Sequence, residues 1–121
     1  MIKVIIAGGR DFNDYKLLKD AASKFLHGCT LDDITIISGK AKGADSLAIK
    51  LAREYGLDLI TKPADWDKYG RSAGFIRNVE MADIATHLLA FWDGKSRGTR
   101  HMIETAKTKG LIIKVVYYGP S

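Results

Sequence analysis

Apolar residues follow two alternating patterns along the chain. Short runs rich in Ile, Val and Leu, such as residues 2–7 before Gly8, are typical of strands buried on both faces. Between these runs, apolar residues recur three or four positions apart, which is the spacing of one helix face. The patterns predict five strands at 2–7, 34–37, 57–60, 87–92 and 111–118, and four helices at 14–28, 44–55, 72–82 and 99–109.

This strict alternation of strand and helix predicts an α/β fold with a parallel sheet between two helical layers. If the first three strands wind outward and the fourth returns beside the first, right-handed crossovers give the strand order 3-2-1-4-5. We therefore predict a Rossmann-like three-layer α/β/α fold with a five-stranded parallel sheet. Ligands of open α/β sheets bind at the carboxyl ends of the strands where the order reverses, here between strands one and four.

Two helix starts and one strand end carry local signals. Ser72 is a candidate N-cap for the helix predicted between the third and fourth strands. Thr99 is a candidate N-cap for the last helix, and its hydroxyl would either cap that helix or face a phosphate. Pro120 is expected to end the fifth strand.

Three glycine-rich loops follow strands one, two and four, and the predicted topology brings them to one cleft. Loops of this kind before a helix expose backbone N–H groups to anions, and the helix dipole adds to the attraction. The alternative is that the glycines only form tight turns. The loop residues we assign to a ligand are Gly8, Gly9 and Arg10, then Ser38, Gly39, Lys40, Gly43 and Asp45, then Asp93, Gly94, Ser96, Gly98 and Thr99.

Polar and aromatic residues crowd without periodicity in the segment before the fourth strand. Trp66 and Tyr69 can stack on a base, and Arg71 and Arg77 can reach a phosphate or a ribose. The alternative is a surface lid with solvated arginines. Arg77 and Glu80 share a helix face, so they form either a pair at the cleft or an ordinary surface pair.

Composition restricts the class of protein further. The 121 residues are 46% hydrophobic and 27% charged, as expected for one globular domain spanning 1–121. Only Cys29 is a cysteine, and there is no leader or long apolar run, so we expect a cytoplasmic protein without membrane contact. The net charge of +5 suits a phosphate-bearing partner, either a nucleotide or a nucleic acid.

Several classes of chemistry lack a signature in the sequence. The loops match neither the P-loop nor the G-x-G-x-x-G fingerprint, which disfavours triphosphate hydrolysis and ordinary dinucleotide binding. No nucleophile elbow is present, and His27, His87 and His101 have no metal-ligand spacing around them. We therefore predict no metal and no cofactor.

The joint pattern IAGGRDF, SGKAKGAD, PADWDKYGRSAGFIRNVEM and FWDGKSRGT resembles the SLOG superfamily, and within it the small YspA/YpsA-related branch. That Rossmann-like superfamily includes LOG-type phosphoribohydrolases and the Smf/DprA proteins. The resemblance implies that Arg77 is the functional arginine of R-K-x-x-M and that Gly94, Gly98 and Thr99 belong to the phosphate loop. Met102 stands where the hydrolases have their catalytic glutamate, which leaves Glu80 or Asp93 as substitute carboxylates.

The sequence leaves three hypotheses for function. The first is a domain that binds or senses a nucleotide or an ADP-ribose-like derivative, with Arg10 and Arg77 neutralising its phosphate. The second is a phosphoribohydrolase that uses Arg77 and Glu80 to cleave an N-glycosidic bond. The third is single-stranded nucleic-acid binding, which the dispersal of lysines over the helices makes weaker. Helix faces left over after covering the sheet predict a homodimer.

Overall fold

Each apolar run forms one strand of a single parallel sheet. The computed structural model describes residues 1–119, and its strands pair in the order β3-β2-β1-β4-β5, which confirms the predicted fold class and topology. The strands are β1 (Ile2–Gly8), β2 (Ile34–Ser38), β3 (Asp58–Thr61), β4 (His87–Trp92) and β5 (Ile112–Tyr117). The helices are α1 (Tyr15–Phe25), α2 (Ala44–Tyr55), α3 (Trp66–Tyr69), α4 (Ala73–Ile84) and α5 (Arg97–Thr108).

The two faces of the sheet carry separate apolar clusters because strand side chains alternate between faces. Val4 and Ile6 pack with Leu18 of α1 and Leu51 of α2 on one face. Ile5, between them in sequence, belongs to the opposite face, which α4 and α5 cover with residues such as Met81 and Met102. Helices therefore pack on both faces of β1, the central strand. The carboxyl ends of β1 and β4 lie side by side because the two strands pair.

The polar segment before α4 is more ordered than the sequence indicates. Asp65 accepts a hydrogen bond from the backbone N–H of Lys68 at 3.0 Å and caps the four-residue helix α3. A 3-10 turn at 70–72 continues into α4, so Ser72 already has helical backbone angles and makes no capping hydrogen bond. Ser72 thus stands at the predicted N-cap position but does not cap the helix, because an N-cap side chain acts where the backbone is still extended.

Helix α5 begins two residues earlier than predicted. Ser96, and not Thr99, is the N-cap, and its Oγ accepts from the backbone N–H of Thr99. Thr99 is buried inside the first turn. Pro120 lies outside the described residues. None of the helices in residues 1–119 has the length and apolar character needed to cross a bilayer.

Candidate functional site

A cleft of about 510 Å³ opens at the carboxyl ends of β1 and β4, where the strand order reverses. Its walls come from the loops after these strands, from α3 and the 3-10 turn at 70–72, from the first turn of α2, and from the first two or three turns of α4 and α5. The predicted site residues that line the cleft are Gly8, Gly9, Arg10, Asp45, Trp66, Arg71, Arg77, Asp93, Ser96, Gly98 and Thr99. The structure thus brings together residues from all three glycine loops and the polar segment.

A second groove, of about 380 Å³, lies between α1 and α2 near the amino ends of β2 and β3. Its lining includes Leu26, Leu51 and Leu57 and contains no arginine and no residue of the three glycine loops. The cleft at the carboxyl ends of the strands is the candidate site, because it lies where ligands of open α/β sheets bind and because arginines line it.

The remaining predicted residues do not line the cleft. Glu80 is exposed, and the two ion pairs found within residues 1–119 are Lys19–Glu54 and Lys109–Asp83, so the expected Arg77–Glu80 pair is wrong. Arg77 turns instead toward the loop after β2. The other residues outside the lining are Ser38, Gly39, Lys40, Gly43, Tyr69 and Gly94.

Arg77 is half-buried in the cleft wall and held by neutral groups. Its Nη1 donates to the carbonyl oxygen of Gly39 at 2.7 Å, and its Nε donates to Oδ1 of Asn78 at 3.1 Å. Nη2 donates no hydrogen bond to any of residues 1–119. Burial lowers the pKa of Arg77 and Asp45 opposes that shift, but a guanidinium stays charged at any physiological pH. The cleft therefore contains a fixed cation with free donors.

Asp45 is a nearly buried carboxyl at the N-terminus of α2. Its Oδ2 accepts from the backbone N–H of Ala41 at 3.2 Å. Every fully buried side-chain oxygen in residues 1–119 has a hydrogen-bond partner. Oδ1 of Asp45 has none in that range, so this atom is accessible, and it is open toward the cleft that Asp45 lines. Burial raises the pKa of Asp45 to about 6, against the opposing effects of the Ala41 N–H, Arg77 and Arg10. Asp45 thus changes charge near neutral pH.

The glycines of the first two loops allow close backbone packing. Gly43 has φ +77°, and a Cβ there would overlap the carbonyl oxygen of Gly9. The same oxygen accepts hydrogen bonds from the backbone N–H groups of Phe12 and Ala44. Gly43 therefore joins the two loops, and any larger residue there would disturb the fold as well as the cleft.

The hydroxyl of Tyr118, just beyond β5, secures the first loop. It donates to Oδ1 of Asp11 at 2.6 Å and occupies the place where Gly9 would carry a Cβ. The Tyr118 ring also packs edge-on against Phe12 at 4.8 Å. Burial and the Asp11 carboxylate raise the pKa of Tyr118, so the hydroxyl remains protonated as the donor.

Asp93 shapes the loop after β4 and is not available as an acid. Its Oδ1 accepts from the backbone N–H groups of Lys95 and Ser96, each at 2.8 Å. These hydrogen bonds lower the pKa of Asp93. The carboxylate therefore serves as an Asx-type turn acceptor, and Gly94 at φ +84° completes the turn.

The aromatic residues divide between the cleft and the surface. Trp66 lines the cleft and is 51% exposed, which leaves its ring free to stack. Tyr69 lies outside the lining, with the ammonium of Lys68 over its ring at 5.1 Å. Phe75, which the sequence does not single out, lines the cleft and stacks on His101 at 4.2 Å.

Asn78 is a further residue that sequence reasoning misses. It is 5% exposed and contacts Arg77, Gly98 and His101. The one available signal is its position directly after Arg77 in the RNVEM segment. Within residues 1–119, no group of three or more His, Cys, Asp or Glu side chains is placed to hold a metal ion.

The topology and the position of the cleft define a Rossmann-like α/β domain with its ligand cleft where the strand order reverses. The chain belongs to the YspA, cpYpsA-related SLOG family, whose model matches residues 2–69. It is 34% identical to the Gene 61 protein of Mycobacterium phage D29, over 98% of each chain.

A solved structure gives the same fold. The chain superposes along its whole length on DNA processing protein A (DprA) from Streptococcus pneumoniae, with a TM-score of 0.70 and 20% sequence identity. It spans about half of that chain, 51%. At this identity the likeness establishes the shared fold.

Proposed function

We propose that the cleft binds the phosphate of a nucleotide or of an ADP-ribose-like derivative. The observation that carries this proposal is the Arg77 guanidinium, which is half-buried, held by a carbonyl and an amide, and has no carboxylate ion pair within residues 1–119. Arg10 and Arg71 line the same cleft. Guanidinium groups bind phosphate oxygens through paired N–H donors, and partial burial strengthens such bonds.

The rest of the cleft suits the base and the ribose. Trp66 and Phe75 offer aromatic faces for stacking, and the N-terminus of α5 at Gly98 adds backbone N–H groups for an anion. The volume of about 510 Å³ falls in the range typical of small-ligand sites. A single nucleotide therefore fits the proposal better than an extended strand.

Calorimetric titration tests the proposal. AMP and ADP-ribose should bind, and adenosine, which lacks phosphate, should bind at least about tenfold more weakly because the charged contact is lost. Arg77→Met should weaken AMP binding by a similar factor. Arg53→Met is the matched control, since Arg53 is exposed on α2 outside the cleft. Equal binding of AMP and adenosine, or an unaffected Arg77→Met variant, would contradict a phosphate site.

Hydrolysis of an N-glycosidic bond is a second candidate function, and Asp45 is the observation that favours it. A carboxyl with a pKa of about 6 in a cleft can donate a proton near neutral pH. Water would attack the ribose C1′, the C1′–N bond would break, the leaving base would take the Asp45 proton, and the attacking water would return one. Glu80 is exposed outside the cleft and Asp93 is held as a turn acceptor, so neither fits this role.

Chromatography of free base released from a nucleotide panel separates binding from turnover. Hydrolysis by the wild type that is lost in Asp45→Asn, with AMP affinity kept or increased, would support the enzyme. Binding without any released base would favour the sensing role alone.

Single-stranded DNA binding is distinguished by its salt dependence. Affinity for a strand should fall steeply with salt because several counterions are released, whereas a single nucleotide loses much less. If an oligonucleotide binds more tightly than AMP at physiological salt, the nucleotide proposal gives way to the nucleic-acid one.

A further inference from the structure

Arg77 reaches the cleft with its Nε fixed by a buried neighbour. The Nε–H donates to Oδ1 of Asn78 at 3.1 Å, and the Asn78 side chain is buried between α4 and α5. Without this contact the guanidinium would be held by the Gly39 carbonyl alone among residues 1–119. The orientation of Arg77 therefore depends on how Asn78 itself is held.

The partners of Asn78 determine which way its amide points. Arg77 Nε can only donate, so the amide oxygen must face it. On the other side, Nδ2 lies 3.2 Å from the carbonyl oxygen of Gly98, which can only accept. A flipped amide would lose both hydrogen bonds, so the orientation is fixed without reference to His101.

The same geometry fixes the state of His101. Nδ2 of Asn78 also lies 3.2 Å from Nδ1 of His101, so Nδ1 must accept and the ring must be neutral with its proton on Nε2. Nε2 then faces Oγ1 of Thr105 at 3.5 Å, and Phe75 stacks on the ring. Burial lowers the pKa of His101, with Glu104 opposing, which agrees with a neutral ring.

We propose that Asn78 is a positioning residue that joins the anion-binding arginine on α4 to the N-terminal turn of α5. One amide group connects Arg77 Nε to the Gly98 carbonyl, and both Arg77 and Gly98 line the cleft. The two walls that would contact a phosphate are thereby held in one fixed geometry. The role of Arg77 in phosphate binding rests on the proposed function, whereas the positioning itself does not.

Proton exchange at Arg77 tests the positioning without any ligand. In ¹⁵N-labelled wild-type protein, the Arg77 Nε–H should exchange with water at least about tenfold more slowly than the Nε–H of exposed Arg53, because a hydrogen-bonded, half-buried proton is protected. Equal exchange rates would overturn the proposal. This comparison needs no variant, so it remains decisive if substitutions at Asn78 prevent folding.

Two variants with the same number and branching of side-chain heavy atoms separate positioning from packing. Asn78→Asp keeps an oxygen for Arg77 Nε and should retain the slow exchange, whereas Asn78→Leu should lose it. If both variants behave alike, the amide oxygen does not hold Arg77 and the proposal fails. Long-range ¹⁵N spectra of the wild type should also show His101 neutral with Nε2 protonated, and a proton on Nδ1 would contradict the amide orientation.

Phosphate affinity then connects the positioning to the proposed function. Asn78→Leu should weaken AMP binding about fivefold or more in the wild-type background and have no further effect in an Arg77→Met background, because coupled residues are not additive. An equal loss in both backgrounds would show that Asn78 acts independently of Arg77. Slow exchange at Arg77 with no AMP binding would support the positioning and reject the phosphate site.

Discussion

Arg77 rests directly on Gly39. The Nη1 of Arg77 donates to the Gly39 carbonyl oxygen at 2.7 Å, and a Cβ built on Gly39 would lie 2.5 Å from that same nitrogen. The second neighbour of this Cβ would be Oδ2 of Asp45 at 2.8 Å. Gly39 therefore lies beside both the guanidinium and the carboxyl of the cleft, and they leave no room for a side chain on it.

Gly39→Ala should displace the arginine and leave the fold intact. The nearest atoms to the added methyl group belong to the flexible end of Arg77 and to Asp45, and the backbone angle of Gly39 is not left-handed. We expect the melting temperature to change little and AMP affinity to fall about tenfold, as for loss of a charged hydrogen bond. Unchanged affinity in calorimetry would mean that Arg77 does not need its place beside Gly39.

Substitution of two other glycines by alanine should change the free energy of unfolding in opposite directions. Gly43→Ala combines φ +77° with overlap of the Gly9 carbonyl, so it should lower the free energy of unfolding by about 2 kcal/mol or more. Gly98→Ala meets no atom within 4 Å and lies in the first turn of α5, so it should raise that free energy by up to about 1 kcal/mol.

Urea unfolding measures the free energy of unfolding of both glycine variants, and AMP titration measures their affinity. A methyl group at Gly98 should reduce affinity, because this residue lines the cleft. A stable Gly43→Ala variant would show that the first two loops are not in contact.

Asp45 should make the protein less stable as pH rises. The folded pKa of about 6 lies above the unfolded value, so between roughly pH 4 and pH 6 the folded state binds more protons. The contribution of Asp45 to the free energy of unfolding is therefore complete below the unfolded pKa. It falls as the carboxyl ionises, by up to about 3 kcal/mol for a shift of this size. Asp45→Asn should be more stable than the wild type at pH 7 and gain nothing at pH 4.

Chemical denaturation across this pH range measures the difference between the two proteins, which removes the contributions of other groups. The same substitution deletes a negative charge beside Arg77 and should tighten AMP binding at pH 7. Parallel stability profiles for the two proteins would show that Asp45 titrates normally.

The homodimer stays a prediction, and α4 offers a surface for it. Phe75 and Val79 are 46% and 37% exposed and lie one turn apart on this helix. Val79→Glu places a charge there without altering the cleft lining. Sedimentation equilibrium should show a dimer for the wild type and a monomer for the variant; a monomeric wild type would refute the prediction.

The fold could be predicted because its determinants are local. Strand-sized apolar runs such as 34–37 and helical spacing between them specify the layers, and right-handed crossovers limit the order. The first residue of α5 is harder to predict from the sequence, because Ser96 and Thr99 are both good cap residues. Only the loop geometry that Asp93 imposes selects Ser96.

The site could be predicted only in part. Glycine loops at strand ends point to the cleft, and Arg77 follows from the family motif. Asn78 and Phe75 have no distinguishing spacing, since the residues that they contact, Gly98 and His101, lie twenty or more residues later on another helix. The sequence assigns Gly43 to a ligand, but its neighbour is the backbone of Gly9, a contact that only the packed loops reveal.

The hydroxyl of Tyr118 has a consequence for the order of events during synthesis. The loop that it holds through Asp11 precedes Tyr118 by 107 residues, so it is synthesised well before its partner. A nascent chain that has emerged through Met102 already carries every residue of the cleft lining, yet its first loop lacks this hydrogen bond. The hydrogen bond that holds the first loop can therefore form only after Tyr118 has left the exit tunnel.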